Sequence, residues 1–184
     1  MAITAGLIKD AVNNAVGYAN SAMVSLTANS AALSEISPMA PHVGISTRNS
    51  VIGKANTLIP QYGVRAIVSM SMVPISSDEL ALFRKNGIEW HAYPINDVVE
   101  QSLIPIAEYI HQYILTPRVG NIAKLGRVVV VCDMGVSRSV SIVLYHLMRT
   151  YKWNFDQALQ WGRKRRKFIQ PNPGFEKQLR SLRV

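Results

Sequence analysis

The chain has 184 residues, a formal net charge of +9 and a single cysteine. Hydrophobic residues make up 48% of the chain and charged residues 17%, a composition typical of globular proteins that excludes a mostly disordered chain. The apolar runs are all shorter than the roughly 20 residues that span a bilayer, so we expect no membrane span. The positive charge favours anionic partners such as phosphate, acidic peptides, nucleic acid or anionic lipid, without selecting among them.

The N-terminal segment, residues 1–35, is rich in Ala, Ser and Asn and has apolar residues at helical spacing. We predict a helical arm here, followed by one compact domain over residues 36–184. The arm could pack on its own domain or dock on a second subunit, so a monomer and a homodimer formed through the arm both stay open. Asp10 and the lack of a basic stretch argue against a secretory signal, so we expect an intracellular location, cytoplasmic or nuclear.

The next part of the chain alternates between helical and extended patterns. The segment SPMAPHVG, residues 37–44, is the first clear break in the pattern. Ser76 and Glu79 form a capping-box pattern that predicts the start of a helix. Asp97 and Glu100 form a second such pattern. The predicted elements are a helix over 50–62, a strand over 64–69, a helix over 76–86, an extended segment over 88–95 and a longer helix over 98–115.

The C-terminal third begins with RVVVVC, residues 127–132, a β-branched run typical of a central strand buried on both faces. After Arg138, apolar residues at helical spacing predict an amphipathic helix that is marked by Val140, Val143, Leu144, Leu147 and Tyr151. A further helix begins near Phe155 and ends in the basic cluster 163–167. This alternation predicts an α/β fold with a central, mostly parallel sheet flanked by helices on both sides.

The segment CDMGVSRS carries the pattern that points to chemistry. Cys132 ends the predicted strand, Arg138 follows six residues later, and Gly135 provides backbone freedom for a tight curve. A loop of this length at a helix N-terminus can direct its N–H groups at an anion, and Arg138 can grip two phosphate oxygens. The same field would stabilise a thiolate on Cys132. The predicted phosphate-binding loop comprises Asp133, Met134, Gly135, Val136, Ser137 and Arg138.

This C-x5-R-S signature resembles that of the protein tyrosine phosphatase superfamily, and VCDMGVSRSVSIVLYHLM resembles its dual-specificity branch. The segments YPINDVVEQ and RRKFIQPNPGFEKQL are similar to the branch's general-acid and C-terminal segments. Together with QYGVRAIVSM, the resemblance covers roughly residues 40–182 in the expected order. It implies the dual-specificity phosphatase fold for the catalytic domain.

The resemblance also implies a role for each matching residue. Cys132 would be the nucleophile that forms a phosphocysteine, Arg138 the clamp on the phosphoryl group, and Asp97 the proton donor. Ser139 would form a hydrogen bond to the leaving thiolate. The implied activity is hydrolysis of phosphotyrosine and phosphoserine or phosphothreonine in partner proteins, with no cofactor and no metal. From the residues alone, Asp97 could instead cap the helix predicted over 98–115.

The chain departs from the branch at two positions, with Val131 where histidine is usual and Met134 where alanine is frequent. Asp133 adds a negative charge beside the cysteine. Val131 and Asp133 leave open a catalytically weak phosphoprotein-binding module. The net charge of +9 leaves open an RNA 5′-end or lipid phosphatase of the same superfamily. Nucleic acid is not the favoured partner, since a basic cluster such as 163–167 also complements the dipole of its own helix.

Overall fold

The computed structural model describes residues 36–117 and 126–183, so the predicted arm over residues 1–35 lies outside the described residues. Within them, a five-stranded sheet has the strand order β1-β2-β5-β3-β4. The first two strands are antiparallel, and all other neighbours are parallel. The strands are β1 (Ser37–Ala40), β2 (Val43–Thr47), β3 (Val64–Ser69), β4 (Glu89–Ala92) and β5 (Arg127–Cys132).

Strand β5 lies at the centre of this sheet, between β2 and β3. Val130 is paired with Ile45 on one side and with Val68 on the other. Residues 128–131 have no exposed surface, as expected of a parallel strand with both faces covered by helices. The predicted buried strand and the mostly parallel sheet are confirmed.

Helices cover both faces of the sheet. Val129 and Val131 of β5 pack with the helices that precede β4, whereas Val128 and Val130 pack with the later helices. This division follows from the alternation of side chains along a strand. Among the residues that the structure describes, no helix is both long enough and apolar enough to span a bilayer. The helices are α1 (Arg48–Gly53), α2 (Leu58–Tyr62), α3 (Ser77–Lys85), α4 (Ile104–Ile110) with a π-helical turn (His111–Leu115), α5 (Arg138–Tyr151), α6 (Phe155–Arg165) and α7 (Pro173–Arg180).

Strand β1 and the start of β2 lie in the segment 37–44 that the sequence pattern marks only as a break. Proline is tolerated on an edge strand, where its missing N–H costs no ladder bond, and β1 is such an edge. Met39, Val43 and Ile45 are buried in the same hydrophobic cluster as the apolar residues of α6. Tertiary burial therefore stabilises strands that the local sequence does not favour.

Two predicted helices differ from those observed. The helix expected over 50–62 is interrupted by a turn at 54–57, which separates α1 from α2. The long helix expected over 98–115 begins only at Ile104, where Pro105 fits the first turn. Its N-cap residue, Leu103, has no capping side chain, and its N–H donates instead to Oε1 of Gln178, 2.8 Å away. By contrast, the capping box of Ser76 and Glu79 at α3 is confirmed.

Candidate active site

The loop between β5 and α5 curves around the sulfur of Cys132. The backbone N–H of Gly135 donates to Sγ over 3.2 Å, and Oγ of Ser139 lies 3.2 Å from the same sulfur. Gly135 has a φ of +64°, which favours glycine, and a Cβ there would lie 2.8 Å from the carbonyl oxygen of Ser46. The loop conformation therefore depends on Gly135, and the thiol is buried at its base.

Arg138 is the first residue of α5, and its buried side chain is held by three segments. Its Nη1 donates to the carbonyl oxygens of Met70 and Ile95, over 3.3 and 3.4 Å. These two residues follow β3 and β4, whose carboxyl ends lie at the same edge of the sheet as that of β5. Its Nη2 donates to Oδ2 of Asp133 over 2.7 Å. The parallel sheet thus brings the partners of Arg138 together.

The negative charge of Asp133 is paired within the site. Its carboxylate accepts hydrogen bonds from Ser71 and from Arg138. Burial alone would raise the pKa of Asp133, but these hydrogen bonds, together with the charges of Arg138 and Arg48, hold the pKa below its usual value. Burial would lower the pKa of Arg138, but the hydrogen bond to Asp133, together with the negative charges of Cys132, Asp133 and Asp97, raises it above its usual value. A phosphate bound by both guanidinium nitrogens would share Arg138 with this carboxylate or replace it.

Asp97 lies in the loop after β4, beside the phosphate-binding loop. Its Oδ1 accepts hydrogen bonds from Oγ of Ser137 and Nδ2 of Asn172, both over 2.7 Å. Its Oδ2 lies 3.7 Å from Nε of Arg138. The alternative that Asp97 caps the long helix is wrong, because α4 begins seven residues later. The loop position leaves the carboxyl group partly exposed at the site.

Arg166 is a site residue that was not predicted from the sequence, in which it stands inside the basic cluster 163–167. Helix α6 ends at Arg165, and Arg166 is only 3% exposed. Its Nε donates to the carbonyl oxygen of Gly135 over 2.8 Å, and its Nη1 donates to Oγ of Ser37 over 3.2 Å. Burial lowers the pKa of Arg166 to about 10, which leaves it charged at neutral pH.

A sequence signal for Arg166 does exist in the helical spacing. The buried positions of α6 include Phe155, Leu159 and Gly162, and residue 166 continues this face at a spacing of four. Its neighbours in the basic cluster fall on the exposed side. Helical periodicity therefore separates Arg166 from the rest of the cluster.

The segment that follows Arg166 also supports the loop. The N–H of Gln170 donates to the carbonyl oxygen of Val136 over 2.9 Å. The N–H of Asn172 donates to Oγ of Ser137 over 3.0 Å, while its side chain contacts Asp97 and caps α7. Residues 166–172 thus link the loop, the candidate acid and α7.

The structure brings all four predicted catalytic residues into one site. Cys132, Arg138 and Ser139 adjoin one another, and Asp97 reaches the same loop through Ser137. Val131, where histidine is usual in the branch, is fully buried among the residues that face α1 to α3. In the described ranges 36–117 and 126–183, no group of His, Cys, Asp and Glu side chains could hold a metal ion. The arrangement suits nucleophilic attack on a bound phosphate.

The sequence model of the family described as "Dual specificity phosphatase, catalytic domain" matches residues 55–184 of this chain. The chain belongs to this family. The membership predicted from CDMGVSRS and the flanking segments is confirmed, and so is the fold. In this dual-specificity phosphatase domain, the matched range includes every candidate catalytic residue and all of the segment 166–172.

Similar proteins include protein phosphatase Slingshot of Drosophila melanogaster, 33% identical over 117 residues, which are 64% of this chain and 10% of the Slingshot protein. Human dual specificity protein phosphatase 21 is 30% identical over 135 residues, 71% of this chain and 64% of that protein. The chain thus spans about a tenth of the Slingshot protein. The crystal structure of human tyrosine phosphatase-like serine/threonine/tyrosine-interacting protein shares the fold, with a TM-score of 0.65, 20% identity and coverage of 78% of this chain and 92% of that one.

Proposed function

We propose that this protein hydrolyses phosphotyrosine, phosphoserine and phosphothreonine in partner proteins through a phosphocysteine intermediate. The observation that carries the proposal is the buried thiol of Cys132, which lies 3.2 Å from both the Gly135 amide and the Ser139 hydroxyl. A thiolate at this point would lie at the N-terminus of the 14-residue helix α5, where the helix dipole stabilises negative charge.

In the first step, Arg138 and the loop amides hold the phosphate while Sγ of Cys132 attacks phosphorus. The S–P bond forms as the ester P–O bond breaks, and Asp97 donates a proton to the leaving oxygen. In the second step, water attacks phosphorus, Asp97 accepts the proton, and the S–P bond breaks. Ser139 donates a hydrogen bond to the departing thiolate. General acid–base assistance of this kind contributes about 10² to 10⁴ in rate.

The two similar proteins named above support this proposal, since both are described as protein phosphatases. The contacts around Cys132 support it over a phosphoprotein-binding module, because binding alone requires neither a hydroxyl beside the sulfur nor a carboxyl group at the loop. A nucleophilic thiol also requires a reducing compartment, so we propose an intracellular location. The two predicted oligomeric states, a monomer and a homodimer formed through residues 1–35, stay predictions.

The test is Cys132→Ser in the full chain. Turnover of a small aryl phosphate and of a phosphopeptide should fall to background, because the serine hydroxyl is a poor nucleophile without a base. Binding of the phosphopeptide should persist, because the loop amides and Arg138 remain. Thr150→Ser, at an exposed position of α5, is the matched control and should keep full turnover. Appreciable turnover by Cys132→Ser would contradict the assignment of the nucleophile.

A further inference from the structure

Exposed apolar side chains are concentrated around the candidate active site. The described part of the chain has eight large apolar side chains that are exposed. Five of the eight lie on the three segments that follow β3, β4 and β5, and these five are between 40% and 54% exposed. The other three are tyrosines on α5, on α4 and on the π-helical turn. We call these five residues the apolar rim: Met72, Val73, Val98, Val99 and Met134.

Hydrogen bonds join the three segments of the apolar rim to the phosphate-binding loop. Ser71, which precedes Met72, donates to Asp133 of the loop. Asp97, which precedes Val98, accepts from Ser137 of the loop. Met134 belongs to the loop itself. The apolar rim therefore lies on segments that are joined to the loop over which a phosphorylated side chain would place its phosphate.

The apolar rim is also held in place. The N–H of Val73 donates to Oγ of Ser71 over 3.1 Å. The backbone of Val99 packs so closely on α7 that a Cβ on Gly174 would lie 2.0 Å from its carbonyl oxygen. A preformed surface loses little conformational entropy when a ligand covers it.

The charge of these segments differs from that of the whole chain. Residues 70–76, 95–103 and 132–137 contain no Lys or Arg and three acidic residues, although the net charge of the chain is +9. The acidic residues are Asp97, Glu100 and Asp133. Among these charges close to the loop, only the buried guanidinium groups of the site and the exposed Lys167 of the segment 166–172 are basic. The three segments of the apolar rim therefore offer a polyanion only carboxylates, and they do not complement an acidic peptide, a nucleic-acid backbone or an anionic membrane.

We infer that this domain selects phosphoproteins in which apolar side chains, and not acidic ones, flank the phosphorylated residue. This inference rests on the proposed function, because it places the phosphorylated residue over Cys132. A cluster of exposed apolar groups beside a functional site marks a surface that a partner covers. Apolar groups that the partner buries there together add roughly 10-fold to discrimination between ligands.

The experiment uses the full chain with Cys132→Ser, so that binding is measured without turnover. Three fluorescent phosphotyrosine peptides differ only in the two residues on each side of the phosphotyrosine. These residues are Leu and Val in the apolar peptide, Ala in the Ala peptide and Glu in the Glu peptide. The apolar peptide should bind about tenfold more tightly than the Ala peptide, and the Glu peptide more weakly than the Ala peptide. In the unsubstituted protein, kcat/KM should follow the same order.

A second variant adds Met72→Ser and Val73→Ser to Cys132→Ser and should lower the affinity ratio of apolar to Ala peptide severalfold. Tyr151→Ser, which removes an exposed apolar side chain of α5, is the control and should leave the ratio unchanged. Circular dichroism spectra and melting temperatures establish that each variant is folded.

The outcomes separate the inference from the proposed function. If all three peptides bind equally, the inference is wrong, even where the unsubstituted protein hydrolyses them. If the apolar peptide binds best but none is hydrolysed, the proposed function fails and the selection stands. Tighter binding to vesicles of phosphatidylcholine with phosphorylated inositol lipid than to any peptide would overturn the choice of a phosphoprotein.

Discussion

Arg138 and Arg166 are both buried beside the phosphate-binding loop, but their contacts suit different tasks. Arg138 contacts the carboxylates of Asp97 and Asp133 and two carbonyl oxygens, so its fork lies where a phosphate would bind. Arg166 donates to the carbonyl oxygen of Gly135, an atom of the loop backbone. We therefore interpret Arg138 as a ligand of the phosphate and Arg166 as a positioning residue for the loop.

Arg166→Met should lower both stability and phosphate affinity. The substitution leaves the Gly135 carbonyl and the Ser37 hydroxyl without this donor, and an unsatisfied buried polar group costs about 1 to 3 kcal/mol. The free energy of unfolding in urea and the Ki of inorganic phosphate measure the two effects. Arg163→Met, at an exposed position of the same basic cluster, should change stability by no more than about 0.5 kcal/mol. Equal effects of both substitutions would contradict the positioning role.

Asp133→Asn should strengthen phosphate binding. The Asp133 carboxylate pairs with Arg138 and repels a phosphate dianion in the same loop, whereas an asparagine still accepts the hydrogen bond from Ser71. We expect the Ki of inorganic phosphate at pH 7 to fall about tenfold. This change corresponds to about 1.4 kcal/mol, which is the order of the Coulomb energy between partly exposed charges. A higher Ki would mean that Asp133 serves mainly to align Arg138.

At the scale of elements, the late start of α4 determines what Asp97 can do. If the helix had begun at residue 98, the Asp97 carboxylate would have accepted backbone N–H groups of the first turn. Because α4 begins at Ile104, the carboxylate contacts Ser137 and Asn172 instead. The loop between β4 and α4 thus presents Asp97 to the phosphate-binding loop.

Asp97→Asn should slow hydrolysis in proportion to the need of the leaving group for a proton. Phosphopeptide turnover should fall by about 10² or more, because alkyl and phenolic oxygens leave poorly as anions, whereas an activated aryl phosphate should be affected far less. The melting temperature should change little, since asparagine can accept the same two hydrogen bonds. If both substrates slowed equally, Glu100 or Asp78 would become the candidate acid.

Local patterns in the sequence predicted those elements whose signal lies within the element itself. The β-branched run of β5, the capping box of α3 and the apolar spacing of α5 are patterns of this kind. The start of α4 depends on Gln178, which is 75 residues away, and strand β1 depends on burial against distant helices. The phosphate-binding loop was predictable from its motif, but its support by Arg166 required knowledge of the tertiary contact.

At the scale of the whole molecule, the distribution of charge differs from its sum. The exposed basic residues at the end of α6, Arg163, Lys164 and Arg165, contribute to the net charge of +9. The segments around the loop contribute carboxylates. The net charge therefore describes how the protein interacts with polyanions in general, whereas the site depends on two buried arginines.

Because the whole chain contains a single cysteine, oxidation of Cys132 can follow only a few routes. Peroxide should convert the thiolate of Cys132 to a sulfenic acid, with water as the other product, and no second thiol exists to form an internal disulfide. Sulfenic acid can condense with a backbone nitrogen with loss of water, a reversible product that protects the sulfur from further oxidation. Brief exposure should therefore inactivate the protein in a way that dithiothreitol reverses, and long exposure should not.

Intact mass spectrometry checks this sequence of products. Early samples should gain one oxygen atom, or lose two hydrogen atoms where the cyclic product has formed, and late samples should gain two or three oxygen atoms. Inorganic phosphate should slow inactivation because it occupies the loop above the sulfur, and Cys132→Ser should gain no oxygen at this position. If a disulfide-linked dimer on a non-reducing gel accounted for the reversible loss, two chains must approach closely enough for their Cys132 sulfurs to react. The burial of Cys132, only 2% exposed at the base of its loop, argues against that approach.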